Sequence, residues 1–443
     1  MKLSEGLIKH IDVEIFELVK LLEVTNDEAF KASQHPQGSL GLKTMAMKVT
    51  LTSNYLKSTD NSIVECDPVG KCLGFSAENH KRFEKFIDAL YKVKDVNDYF
   101  SRGFLEKISF KWIISTRQAG KADTSFSSFF MTKCEDSIEH LVIYFPMLYF
   151  ETEVPFVIGK TAFGFYTKEF FDEFIKNSKN KDAVDSYIDM QKEYLGETFV
   201  MCEVHAEKER AKEIAFEECS LAVDILKVCS HTLDFPNKTL NFDIDKRIRH
   251  TQQSETIVEV VKDVSDLEIS LDRGGKLPFQ MNQVQFTLFE KRGLMFFHEF
   301  YRGLSVQTTE LEAIVILGIQ RFALALSVTN LTQRVAELFT ILESLLLTDE
   351  VDGIIDSVSI YTSKLVSKRL DERKQVIGLL KNMYKARSKY VHHAKESEFD
   401  MRELRRLQRT VHALLIELIR KTTVHTTKKS VLQEIDDAIL GAY

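Results

Sequence analysis

The stretch DERKQVIGLLKNMYKARSKYVHHAK, Asp371 to Lys395, decides how the chain is read. From Glu372 to Val391 it holds no proline and one glycine, with apolar residues at Val376, Ile377, Leu380, Met383, Tyr384, Ala386 and Val391. That spacing is helical and not the alternation of a strand. Arg387 and His392 sit near its end, an arginine and a histidine with four residues between them. Five residues turn roughly 140° on a regular helix, so the two side chains leave on different faces. Convergence then requires the helix to end or distort near His392, or a second copy of the chain to complete the site.

Working outward, helical periodicity holds from Thr309 onward, and no proline follows Pro278. The spacing predicts helices over 309–328, 332–347, 352–368, 371–392, 398–422 and 430–440. Asn330 or Thr332 is placed to cap the second and Asp400 the fifth. Between Lys364 and Arg409 there are 14 Lys and Arg against six acids. A basic surplus on these helices suits a phosphate backbone, though a solvated helix face carries the same residues. Glu343 lies in Leu338 to Leu347, which is apolar nearly all round, so its carboxylate is drawn into the bundle and needs a partner, or escapes to solvent through a gap.

Met383-Tyr384-Lys-Ala-Arg387-Ser388-Lys-Tyr-Val391-His392 resembles the signature helix, LYxxRSxxVH, of Apea-type HEPN domains, all-helical modules common in bacterial antiphage and abortive-infection proteins. Ala336 to Leu346 is similar to that family's earlier helix with its Glu-x-Leu step, and the polar helix and short closing segment Ser430 to Leu440 fit as well. The likeness covers roughly residues 305 to 443. It implies an endoribonuclease in which His392 takes the proton of an RNA 2′-hydroxyl and Arg387 holds the phosphate. The product is a 2′,3′-cyclic phosphate and no metal or other cofactor is needed. It also implies a homodimer through the helical domain and Glu343 as the partner of Arg387. Ser388 and His393 are supporting candidates; many active members have Asn, Asp or His where Ser388 stands. Lys381, Lys385, Lys389 and Lys395 are candidate RNA contacts. The alternative is a non-catalytic adaptor or sensor module that dimerises and binds nucleic acid or a partner protein, with a helix-end histidine and a surface arginine.

A chain of 443 residues implies two or three domains. The expected fold class is α+β, a mixed, β-rich region over 1–300 followed by an all-α HEPN-type bundle over 301–443. Net charge is −7, but residues 305–443 hold 20 basic against 18 acidic side chains, so nucleic acid is expected on that part alone. Residues 3–25 and 77–93 read as helices, and Glu209 to Ser230, rich in small residues, as a closely packed one. Ser33 to Lys43 reads as a loop. Runs rich in Val, Ile, Phe, Tyr and Thr predict strands over 44–52, 105–117, 125–132, 140–147, 256–261, 267–271 and 284–288. Further strand pairs are expected within 154–166, and a turn at Gly274-Gly275.

Six cysteines without close pairing predict reduced thiols in the cytoplasm. Cys66, Cys72 and His80 lack the spacing of a structural zinc site. Glu5, Lys9, His10 and Asp12 break any leader-like apolar run, and no uninterrupted apolar window approaches the roughly 18 residues of a membrane span. No P-loop, GxSxG or HExxH pattern is present. By default the region before residue 300 is assigned to sensing or recruitment of a phage-derived or host trigger.

Overall fold

Ser4, Ser76, Ser101 and Ser125 each precede an apolar run, and each side chain accepts a backbone N–H three residues on, from Leu7, Asn79, Phe104 and Ser128. Four N-caps therefore open four helices where the first part of the chain packs. The computed structural model describes residues 4–25, 56–57, 63–66, 72–178, 181–245, 278–305, 307–348, 353–393 and 398–441. They group into two compact units, one within Met1–Leu141 together with Val204–Ile214, the other within Val142–Glu203, Ala215–Glu255 and Val261–Tyr443.

In the first unit, α1 (Glu5–Lys20), β1 (Glu23–Thr25), β2 (Leu56–Lys57), β3 (Ile63–Cys66) and β4 (Cys72–Gly74) precede α2 (Ala77–Tyr91), α3 (Lys94–Asn97), α4 (Arg102–Ala119) and α5 (Phe126–Ser137). The four strands form an antiparallel sheet in the order β1-β4-β3-β2. Ile11 and Ile15 of α1, Phe83 and Ile87 of α2, Leu105 and Ile113 of α4 and Phe126 and Phe130 of α5 share one core. Trp112 stands edge-on to Phe126, ring centroids 5.5 Å apart.

Here the expected strands over 105–117 and 125–132 are corrected to helices α4 and α5. Ile108, Phe110, Trp112 and Ile114 alternate as a strand would and are all buried, while the exposed stripe of α4, Lys107, Lys111 and Ser115, is narrow, and tertiary burial overrides strand propensity. Its end is set by Gly120 at φ 72°, a left-handed C-cap.

The chain continues with β5 (Glu139–Leu148), β6 (Phe150–Thr152), β7 (Phe156–Ile158), β8 (Thr161–Phe165), α6 (Lys168–Asn177), α7 (Lys181–Tyr194), β9 (Thr198–Ala206) and α8 (Lys208–Val228), all in the second unit except Glu139–Leu141, Val204–Ala206 and Lys208–Ile214. After the short turn His231–Leu233 come β10 (Asp243–Ile244), β11 (Phe279–Met281), α9 (Gln283–Lys291) and α10 (Leu294–Gly303). A five-stranded sheet runs β10-β5-β9-β8-β7, and β11 lies parallel to β6. The strand over 140–147, the strand pair within 154–166 and the helix over 209–230 are present as expected. The strand expected over 284–288 is helix α9, opened by the Asn282 side chain on the Gln285 N–H. Expectations for 33–43, 44–52, 256–261, 267–271 and Gly274-Gly275 lie outside the described residues.

The bundle is α11 (Glu310–Ser327), α12 (Leu331–Leu346), α13 (Ile354–Val366), α14 (Leu370–His393), α15 (Met401–Thr422) and α16 (Lys428–Leu440). No strand interrupts the described residues after Met281, and the helices match the expected ones within a few residues. Asn330 and Asp400 cap α12 and α15 as expected, and Thr309 with Glu312 makes a capping box on α11. Gly318 lets α11 press close, since a Cβ there would stand 2.9 Å from Leu415 and 3.0 Å from Leu345. Lys428 at the start of α16 donates to the Ser344 carbonyl at 3.1 Å and to that of Leu347, closing the C-terminus of α12. A mixed α+β fold with a helical C-terminal half is the result. Cys134, Cys202, Cys219 and Cys229 are free and buried; burial pushes the Cys134 thiol up to about 12.

Two buried basic residues are informative. Arg334, fully buried on α12, donates from Nε to the Val328 carbonyl at 3.1 Å and from Nη1 to that of Pro236 at 2.6 Å. Each buried acceptor left without a donor costs about 1–3 kcal/mol. Arg334→Met should therefore lower the stability of the helical unit by roughly 3 kcal/mol, read from the midpoint of urea unfolding followed by circular dichroism. His412, buried against Phe297, is held down to about 4, first by burial and next by the Arg292 charge. Its folded value lies below its ordinary 6.5, so the unfolded chain binds the proton more readily. The resulting stability is complete above about 6.5 and is lost as pH falls towards about 4. Between those limits the wild type should lose on the order of 3 kcal/mol more than His412→Leu in denaturant melts.

Candidate active site on the C-terminal helices

Leu379, Leu380, Met383 and Ala386 are the buried stripe of α14, and Arg387 follows directly on its edge. Packing that stripe against the bundle carries the Arg387 side chain inward, where 18% of it remains exposed. Its Nη2 donates to Glu343 Oε2 of α12 at 3.2 Å, and Glu343 is 21% exposed. One turn back, Tyr384 lies under the guanidinium, 5.2 Å from ring centroid to Cζ, and its hydroxyl is 3.5 Å from Nη1. Tyr384 is itself fixed edge-on against Phe339, centroids 5.2 Å apart. Aromatic ring and carboxylate together set the guanidinium plane.

The pair is only half satisfied. Burial pushes the Glu343 carboxyl up, and the charge and hydrogen bond of Arg387 pull it back only in part. Glu343 Oε1 and Arg387 Nε are buried and, among the described residues, neither has a hydrogen-bond partner. A guanidinium offers five N–H donors in a rigid fork, and here most of them remain unspent. Nε is buried, so an oxyanion would be met by the Nη hydrogens not turned to Glu343 and Tyr384, on the part of the side chain that stays exposed.

His392 is exposed on the same helix. Because α14 runs through His393, the helix does not end between Arg387 and His392. Roughly 140° of rotation then separates the two side chains, and they leave the helix on different faces. Of the two routes to convergence that the spacing allows, the early helix end is not taken. Ser388 is half-buried beside Arg387, while the side chain of His393 and all of Lys395 lie outside the described residues. Lys385 and Lys389 are exposed on α14. Lys381 is exposed too, but its Nζ sits 2.5 Å from Asp356 Oδ1 of α13, which balances its charge.

Sequence reasoning missed the part played by Tyr384, although its place three residues before Arg387 is the usual spacing of a helical side-chain pair. It also missed Asp356, for which no local signal exists. Among the described residues no group of three or more His, Cys, Asp or Glu is placed to hold a metal ion, and no helix is long and apolar enough to cross a membrane. Compared with known proteins, the chain matches no family model, no curated protein and no solved structure.

Proposed function

We propose that the C-terminal bundle is a metal-independent endoribonuclease of the HEPN type, working as a homodimer in the cytoplasm of a bacterium under phage attack. The observation that carries this reading is the Arg387–Glu343 pair, a guanidinium oriented by a carboxylate and an aromatic ring yet left with unspent donors. Such a group suits the extra charge that builds on a phosphate during displacement.

In the reaction, the RNA 2′-oxygen forms a bond to the adjacent phosphorus and the bond from phosphorus to the 5′-oxygen breaks. His392 accepts the 2′-hydroxyl proton, and the leaving 5′-oxygen takes a proton from the His392 of a second copy. A two-fold interface along α14 would bring an exposed histidine of one copy to the arginine of the other, which a single helix does not do. Glu343 orients and does not transfer protons. Lys385 and Lys389 support binding through their exposed charge, with Lys381 weaker because Asp356 answers it. The region before residue 300 receives the phage-derived or host trigger.

The same ion pair fits the adaptor reading, in which Arg387 closes the bundle and His392 is a surface residue. Cleavage of RNA by the purified full chain in EDTA, with analysis of product ends, separates the two. Arg387→Ala and His392→Ala should each reduce cleavage by at least about 100-fold, with helicity kept in both and the unfolding midpoint near wild type in His392→Ala but lowered in Arg387→Ala, which leaves Glu343 without its partner. Products should carry 2′,3′-cyclic phosphate and 5′-hydroxyl ends. Full cleavage by both variants, or strict dependence on added Mg²⁺, would overturn the assignment.

A further inference from the structure

Asp234 ends the turn after α8 and is answered by three guanidinium groups. Its Oδ2 accepts from Arg292 Nε at 3.1 Å, and its Oδ1 accepts from Arg409 Nε at 2.9 Å and lies 3.7 Å from Arg405 Nη2. Burial pushes this carboxyl up, but the hydrogen bonds and charges of Arg409 and Arg292 hold it below the usual carboxylate range. It is therefore ionised at neutral pH, one negative charge against three positive ones. Arg405 and Arg409 keep 46% and 53% of their side chains exposed. Arg402 and Arg406, also exposed, continue the positive face of α15, and among the described residues neither is in an ion pair. The acids on that half of the helix are otherwise engaged, Asp400 as the N-cap and Glu403 with Asn382.

The residue after Asp234 is Phe235, 54% exposed. Its backbone is held from both sides. Phe235 N–H donates to the His231 carbonyl at 3.0 Å, its own carbonyl accepts from Lys238 N–H at 2.9 Å, and the next carbonyl, of Pro236, is bound by the buried Arg334 at 2.6 Å. The ring is thus presented to solvent on a loop held by backbone hydrogen bonds, one residue from the carboxylate that gathers three guanidinium groups. A membrane surface would call for more exposed apolar side chains, whereas Leu233 on the same loop is buried. An exposed ring one residue from an arginine cluster suits an unpaired base stacked on the ring with its neighbouring phosphates on the arginines.

We propose that Phe235, Arg405 and Arg409 form a binding platform for single-stranded RNA, an inference that rests on the reading of RNA as the substrate and says where the strand is held. The test is fluorescence anisotropy of the full-length protein with a labelled 2′-O-methyl oligouridylate, which cannot be cut, beside oligothymidylate and a 2′-O-methyl duplex of equal length. Phe235→Ala should weaken oligouridylate binding about tenfold and Phe235→Trp should restore it, since stacking tolerates any aromatic face. Arg405→Gln should reduce the slope of log affinity against log salt by about 0.7, one phosphate contact on a single strand. Duplex binding should change little in Phe235→Ala. Unchanged oligouridylate affinity in Phe235→Ala, equal weakening on the duplex, or tighter wild-type binding of oligothymidylate than of oligouridylate would each overturn the platform while leaving wild-type cleavage intact. A wild type that neither binds nor cuts RNA would instead overturn the function on which the platform rests.

Discussion

A charge taken out of water inside a helical bundle has to be matched, and that requirement organises the C-terminal half of this protein. It is met in three ways. Arg334, without a carboxylate, is satisfied by carbonyls at Val328 and Pro236. Asp234 is surrounded by more cations than it can balance. Arg387 is matched by Glu343 on one side only. The first arrangement is complete and serves the fold. The second and third leave positive charge or hydrogen-bond donors over, and those surpluses are where chemistry and binding are assigned.

These arrangements depend on helices being held at their ends. Lys428 binds the carbonyls that close α12, so the helix bearing both Arg334 and Glu343 is anchored at the end nearest Glu343. Gly318 allows α11 to press against α12 and α15. With α12 fixed in this way, Glu343 is held facing Arg387 of α14. An oriented but incompletely satisfied arginine is the outcome.

How much of this was legible depends on distance along the chain. The helices after residue 305 could be read because one face is apolar and the caps, Asn330 and Asp400 among them, stand where the apolar period begins. Helix α4 could not, since Ile108, Phe110, Trp112 and Ile114 are buried on several sides and imitate a strand. Ser101 and Gly120 were the overlooked signals, a cap and a left-handed stop that bracket the run. Glu343 and Arg387 are 44 residues apart, and only a resemblance suggested pairing them. Asp234 and Arg409, 175 residues apart, share no pattern that a linear reading could detect.

The claim at the centre of this account is that the nucleophile is internal to the RNA and that Arg387 and His392 serve its attack. The most direct measurement places a single 2′-deoxynucleotide at a mapped cleavage position in an otherwise all-ribose strand and follows both binding and cutting by the wild-type protein. The account predicts unchanged binding with no cleavage at the substituted bond, while neighbouring bonds are still cut. Cleavage of the 2′-deoxy bond at the all-ribose rate would contradict it.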